Sequence, residues 1–155
     1  MTDQEKLSLK QTLYKRAIGL IEQHISTAAT AMQNAQSAAN EEEKSSAGDK
    51  YETSRAMSHL EKDMYAKQTE ENKKELAFLR TIDCKKLYDS AVAGSLINCD
   101  ECSFFIAAGL GKLNVEGMTV YFLSANAPLA KLLHKMKAGE AIEFNKKAVV
   151  IRSVF

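Results

Sequence analysis

Apolar residues recur along the first quarter of the chain in alternating steps of four and three positions. An unbroken heptad pattern of this kind is typical of a helix that packs along a coiled-coil partner. The apolar side chains become smaller along the series, which would let a second helix approach more closely towards the far end. The residues of the series are Tyr14, Ile18, Ile21, Ile25, Ala28, Met32, Ala35 and Ala39.

A second helix is predicted over about residues 49–80, and it is the expected partner of the first. Its apolar positions lie on both sides of a polar stretch at residues 67–72, which predicts a solvated middle. Residues 1–80 are rich in good helix formers and contain no proline. We therefore predict an antiparallel coiled-coil hairpin with arms about 45 Å long, at 1.5 Å per residue. The predicted seam residues of the second helix are Met57, Leu60, Met64, Leu76 and Leu79.

Residues 81–155 have a different pattern, with short apolar runs rich in β-branched residues between glycines. One amphipathic helix is predicted at 129–137, with Pro128 in its first turn and Gly139 as its stop. The expected fold class is α+β, with a helical domain at 1–80 and a sheet domain carrying one helix at 81–155. The predicted strands are 91–98, 102–108, 118–123, 141–144 and 147–154.

The composition argues against several classes of function. The chain has 155 residues and a formal net charge of +1, which argues against a strongly basic nucleic-acid binder. No run approaches the roughly 20 apolar residues of a membrane helix, and the acidic N-terminus does not resemble a signal peptide. The three cysteines are an odd number, which favours reduced thiols. We expect a cytoplasmic protein with no membrane partner.

The turn between the two helices, at about residues 41–52, is acidic. Asp49 and Glu52 are three positions apart, so they lie on one helix face and their carboxylates can converge. Two converging carboxylates can hold Mg²⁺, which keeps several of its waters. The alternative is structural: Ser46 and Asp49 have the spacing of a helix cap, and acids in a first turn also favour the helix dipole.

Two stretches together resemble a known family. Gly48-Asp49-Lys50-Tyr51-Glu52 lies at the turn, and a second stretch runs from Ser124 through Pro128 and Leu129 to Glu143. The chain thereby resembles the Gre-type transcript-cleavage factors of bacterial RNA polymerase, in both motifs and order of parts. The resemblance implies an N-terminal coiled-coil hairpin and an FKBP-like C-terminal β domain.

The resemblance also implies a mechanism. The hairpin would enter the secondary channel of RNA polymerase, where Asp49 and Glu52 would help to hold a second Mg²⁺ shared with the enzyme. Two metals can activate water and stabilise the leaving oxygen, so the nascent RNA 3′ end of a backtracked transcript would be cleaved. The chain would activate the polymerase and would not be a nuclease alone. The resemblance places partner contacts at Ser124, Pro128, Leu129 and Arg55.

Departures from the family keep other functions open. Thr53, Ser54 and Arg55 follow the acid pair, and Arg55 stands where the family has an aromatic residue. A regulator that binds the channel without cleavage is therefore one alternative. A coiled-coil assembly protein is another, although an intramolecular hairpin predicts a monomer. A proline isomerase is a weaker alternative, because the sequence predicts no aromatic-lined pocket.

Other candidate motifs are weaker. Cys99 and Cys102 have the spacing of half a zinc site, but no second ligand pair accompanies them. The segment 109–112 is too short for a phosphate loop and is predicted to be a β-turn. Basic residues around the second helix indicate either a solvated face or a surface for nucleic acid or an acidic partner. They are Lys67, Lys73, Lys74, Arg80, Lys85 and Lys86.

Overall fold

Two long helices precede a β-sheet that carries one short helix. The structure, a computed structural model, describes the backbone of residues 1–44 and 48–155 and the side chains of residues 1–38 and 59–155. Helix α1 spans Asp3–Lys44 and helix α2 spans Gly48–Arg80. This architecture confirms the predicted α+β class. Over the described residues, no helix combines the length and the apolar character that crossing a membrane requires.

The chain packs into two compact units. The first contains Met1–Gly19 and Glu75–Phe155, and the second contains Leu20–Lys74. The division that we predict at residues 80 and 81 follows the change in sequence pattern and stays a prediction.

Six strands form one mixed sheet in the first unit. They are β1 (Leu96–Cys99), β2 (Ser103–Ile106), β3 (Gly111–Val115), β4 (Met118–Leu123), β5 (Ala141–Phe144) and β6 (Lys147–Val154), with α3 (Pro128–Leu133) after β4. The strand order is β3-β4-β2-β1-β6-β5. The β2–β4 pair is parallel and the other neighbouring pairs are antiparallel. The predicted sheet with one helix is confirmed.

Tight turns connect two of the strand pairs. Asn145 and Lys146, between β5 and β6, have φ angles of 52° and 63°, and Glu116 and Gly117, between β3 and β4, have φ angles of 51° and 80°. Positive φ at both central positions is typical of a type I′ hairpin turn, whose twist matches that of the strands. The predicted hairpin around Asn145-Lys146 is confirmed.

Both faces of the sheet centre are buried. One face packs against Ala130 and Leu133 of α3, and its buried residues include Phe104 and Ile151. Because the other face is also covered, β2 has no exposed residue and is apolar almost throughout, without the alternation of a half-exposed strand. The fully or almost fully buried residues of that second face include Leu96, Phe105 and Phe122.

Helix α1 begins with a reciprocal cap. The Thr2 backbone N–H donates to the Glu5 carboxylate at 2.7 Å, and the Glu5 backbone N–H donates to the Thr2 hydroxyl at 3.2 Å. This pair satisfies two N–H groups that a helix start leaves without partners. The Thr2 backbone N–H is also the main cause that lowers the pKa of Glu5 below its usual range.

The described apolar positions predicted for α1 are buried or half-buried in the second unit, but in the first unit the buried positions differ from the predicted ones. In the second unit Ile21, Ala28 and Ala35 are buried, and they are seven residues apart, as a heptad requires. Ile25 and Met32, at the alternate positions, are half-buried. In the first unit the buried apolar residues of α1 are Leu9, Leu13 and Ala17, and Tyr14 is half-buried. Ala39 lies outside the described side chains.

The predicted seam of α2 is partly wrong. Leu76 and Leu79 are buried as predicted, but Leu60 is 65% exposed and Met64 is 48% exposed. In the second unit the half-buried positions are instead Lys62, Tyr65, Thr69 and Asn72, at steps of three, four and three. A polar contact helps to set this face, since the Lys62 Nζ donates to the Gln36 Oε1 at 2.6 Å. Met57 lies outside the described side chains.

The end of α3 and the start of β1 differ from the prediction because the residues that flank these two elements are hydrogen-bonded to each other. Helix α3 ends at Leu133, well before the predicted stop at Gly139. The Lys135 N–H then donates to the Ala91 carbonyl at 2.7 Å, and the Ala91 N–H donates to the Met136 carbonyl at 2.8 Å. These bonds replace further helical bonds after Leu133. They also hold residue 91 outside the strand that we predict to begin there.

The sequence pattern does not predict β3. Residues 109–112 are predicted to be a turn, whereas Gly111 begins an edge strand. Only Val115 of this strand is buried, so the apolar signal of a half-buried strand is almost absent.

A lysine is buried between α1 and the segment that follows α2. Lys10 is fully buried, and its Nζ donates to the Lys86 backbone carbonyl at 2.6 Å and lies 4.6 Å from the centroid of the Tyr88 ring. Burial lowers the pKa of Lys10 from 10.5 to about 8, against the opposing effects of Cys84 and Asp83. The charged ammonium is therefore held by a carbonyl dipole and a ring face.

We expect the stability of the protein, relative to a Lys10→Met variant, to rise between pH 8 and pH 10.5. In this window the unfolded chain keeps the Lys10 proton while the folded chain loses it, so raising the pH favours the folded state. The expected gain is roughly 1–3 kcal/mol. Urea unfolding of both proteins across this pH range measures it, and Lys15→Met, at an exposed site on the same helix, is the control. Parallel pH curves for wild type and Lys10→Met would contradict the assignment.

Candidate functional site

The two predicted metal ligands lie at the start of α2. The helix begins at Gly48, so positions 49 and 52 belong to its first turn. The side chains of Asp49, Glu52 and Arg55 lie outside the described residues. The predicted convergence of the two carboxylates therefore stays a prediction, as does the alternative of a helix cap.

The described side chains form no alternative metal centre. Among residues 1–38 and 59–155, no three His, Cys, Asp or Glu side chains come together in a way that could hold a metal ion.

The predicted partner-binding residues Ser124, Pro128 and Leu129 lie where β4 leads into α3. The Ser124 carbonyl accepts the Ala127 N–H at 3.1 Å, which closes a turn before the helix. Pro128 is the first residue of α3 and is exposed, whereas Leu129 is half-buried and packs against the core. Of this predicted set, the structure therefore offers Pro128 most fully to a partner.

A carboxylate from the end of α2 lies beside this turn. The Glu75 Oε1 accepts the Gly109 N–H at 3.0 Å. A Cβ added at Gly109 would lie 3.2 Å from that same Oε1 and 3.6 Å from the Ser124 Cβ. The Glu75 carboxylate and Ser124 therefore both lie close to Gly109, where a larger residue would be crowded.

The two close cysteines belong to the core. Cys99 and Cys102 stand opposite each other at the β1–β2 turn, where the Cys99 N–H donates to the Cys102 carbonyl at 2.9 Å. Both thiols are free. Burial is the main cause that raises the pKa of Cys99 to about 11 and the pKa of Cys102 above its usual range. A low thiolate fraction disfavours nucleophilic or redox chemistry, so a structural role is the better interpretation.

A cleft that the sequence does not predict opens on the sheet. It has a volume of about 420 Å³, and its lining includes Tyr121 from β4 and Phe144 from β5. These rings pack edge to face with their centroids 5.1 Å apart, and both contact the fully buried Phe104 ring at 5.6 and 5.2 Å. The expectation of no aromatic-lined pocket is therefore wrong. Phe104 and Tyr121 are register partners in the parallel β2–β4 pair, whereas Phe144 comes from β5, which β1 and β6 separate from β2 in the strand order.

Charged residues surround this cleft. Asp100, Glu101, Lys112 and Lys147 all contribute to its lining and are exposed. The Arg152 guanidinium donates to both carboxylate oxygens of Asp100, at 2.7 and 2.8 Å, and these hydrogen bonds lower the pKa of Asp100 below its usual range. The charge of Asp100 is thus matched within the protein.

The helical unit has a groove and an exposed apolar stripe. The groove, about 580 Å³, is lined by residues of both helices, among them Thr27 and Ala31 of α1 and Tyr65 and Gln68 of α2. Gln68 and Glu71 of α2 are exposed, in agreement with the predicted solvated middle of α2. The exposed stripe consists of Leu60 and Met64, one helical turn apart.

Comparisons of the chain with protein-family models, with curated proteins and with solved structures found no match.

Proposed function

We propose that the protein is a Gre-type elongation factor that binds in the secondary channel of RNA polymerase and stimulates cleavage of backtracked transcripts. In this proposal α1 and α2 form an antiparallel coiled-coil hairpin, and the sheet with α3 is an FKBP-like domain. Asp49 and Glu52 help to hold Mg²⁺ between the protein and the polymerase. The polymerase carries out the cleavage, and the protein completes its site.

One observation carries the proposal furthest. Helix α1 ends at Lys44 and α2 begins at Gly48, so the Gly48-Asp49-Lys50-Tyr51-Glu52 motif starts the second helix directly after a short connection. The helical segments of the second unit are long enough for the proposed reach. Leu20–Lys44 alone corresponds to roughly 37 Å of helix at 1.5 Å per residue.

The exposed stripe favours a partner for the helical unit. Leu60 and Met64 are large apolar side chains that the folded chain leaves in contact with water. The two side chains are one helical turn apart and would contribute to an apolar contact surface on this helix. The stripe supports channel binding with or without cleavage, so the channel-binding regulator remains the second candidate. It is equally consistent with a coiled-coil assembly protein. Light scattering distinguishes the two, because an intramolecular hairpin predicts a monomer and an assembly protein predicts a larger species.

The direct test adds the protein and Mg²⁺ to stalled, backtracked RNA polymerase complexes and follows the length of the RNA. We expect shortening from the 3′ end, and no cleavage of the same RNA when the polymerase is omitted. Slowed elongation without shortening would support the channel-binding regulator. Absence of both effects, together with no binding to the polymerase, would contradict the proposed function.

A further inference from the structure

The cleft on the sheet has the features of a binding site for a side chain. Its volume of about 420 Å³ falls within the range of small-ligand pockets. Tyr121 and Phe144 are half-buried, so part of each ring remains open, and the buried Phe104 behind them supports their positions. Rings held by packing in this way present a firm apolar surface. They suit an apolar side chain of moderate size.

The charges at the cleft are not balanced. Arg152 already pairs with Asp100, which leaves the Glu101 carboxylate against the ammonium groups of Lys112 and Lys147. Among the described side chains, neither of these lysines has a carboxylate within 4.0 Å. The unmatched charge therefore favours a ligand with at least one negative group beside its apolar part.

We propose that this cleft binds a peptide segment of another protein in which an apolar side chain is flanked by carboxylates. The apolar side chain fits against Tyr121 and Phe144, and the flanking carboxylates pair with Lys112 and Lys147. The inference does not depend on the proposed role at RNA polymerase. The predicted partner-binding residues Ser124, Pro128 and Leu129 do not line the cleft.

A peptide fits these features better than a nucleic acid. Aromatic rings with lysines also occur where nucleic-acid bases stack and phosphates bind. Here, however, the Glu101 carboxylate lies in the same cleft and would repel successive phosphates. A peptide carries fewer and more widely spaced charges, so it can place its carboxylates at the lysines and avoid Glu101.

The test titrates short acetylated and amidated peptides into the isotope-labelled full chain and follows its backbone NMR signals. Glutamates flank one central residue, which is Leu, Phe, Met or Pro. The controls have a central Ser, or lysines in place of the glutamates. We expect saturable shifts at Lys112, Tyr121 and Lys147 for at least one glutamate-flanked apolar peptide, and about tenfold weaker binding for each control.

Charge variants give the matched comparison. The double variant Lys112→Glu, Lys147→Glu is expected to bind the glutamate-flanked peptide about tenfold more weakly than the wild type, whereas Glu101→Lys is expected to bind it more tightly. Lys15→Glu with Lys131→Glu reverses two exposed lysines outside the cleft and should change little. The proposal is overturned if none of the apolar peptides shifts cleft signals or if the flanking charge has no effect. It is also overturned if an oligonucleotide binds the cleft and the peptides do not.

Discussion

Replacing Asp49 or Glu52 by alanine is expected to lower the rate of polymerase-dependent RNA cleavage by about 100-fold or more. Groups that only support a metal ligand already change metal affinity or activity by about 10- to 100-fold, and these two carboxylates would contact the metal directly. The same variants should bind the polymerase about as tightly as the wild type, because most of the contact area would come from the helices. Cleavage rates on backtracked complexes, measured with binding affinities, give both quantities.

Neighbouring acids provide the control for this experiment. Glu41→Ala and Glu43→Ala remove the same charge from the acidic turn without touching the motif. We expect their effects on cleavage to be within about threefold, as for exposed charges in general. Equal losses in all four variants would indicate that overall acidity matters and that Asp49 and Glu52 have no special role. If the Asp49 and Glu52 variants cleave at the wild-type rate, the metal assignment is wrong.

A Phe104→Ala variant is expected to lose about 3–5 kcal/mol of unfolding free energy. Phe104 is fully buried and contacts the rings of Tyr121 and Phe144, so truncation leaves a cavity at the centre of the sheet. Aromatic pairs also contribute beyond the area that they bury. Urea unfolding followed by circular dichroism measures the change.

Two further variants serve as controls for the Phe104→Ala measurement. Phe104→Leu retains most of the volume and should cost less than the alanine variant, which covers the case in which Phe104→Ala does not fold. Leu132→Ala truncates a side chain of α3 that is 55% exposed, and it should change stability by no more than about 0.5 kcal/mol. Comparable losses for Leu132→Ala and Phe104→Ala would contradict the assignment of the core.

Much of the helical part could be predicted because its signal is local. The heptad spacing of Ile21, Ala28 and Ala35 lies within one helix, and their burial follows from that spacing. The same spacing wrongly placed Leu60 and Met64 in the predicted seam of α2, because the hydrophobic pattern alone does not show which face of a helix is buried. The structure gives that face of α2 to Tyr65 and Thr69, with Lys62 bonded to Gln36.

The features that the sequence did not predict depend on distant parts of the chain. The early end of α3 follows from its bonds with Ala91, and the cleft requires β4 and β5 to approach each other. Strand β3 lies at the sheet edge with little buried surface, so its residues need no strong apolar pattern. The candidate metal site differs from these features. Its short motif can be recognised in the sequence, but its side chains lie outside the described residues.

The central claim is that the turn containing Asp49 and Glu52 enters the polymerase channel, and site-specific photo-crosslinking tests it most directly. A photoreactive benzoylphenylalanine in place of Tyr51, between the two acids, should crosslink to the RNA 3′ end or to the polymerase active centre in backtracked complexes. The same group at the exposed Lys15 should give neither crosslink. If position 51 crosslinks only to the outer surface of the polymerase, or not at all while the protein is bound, the account is contradicted.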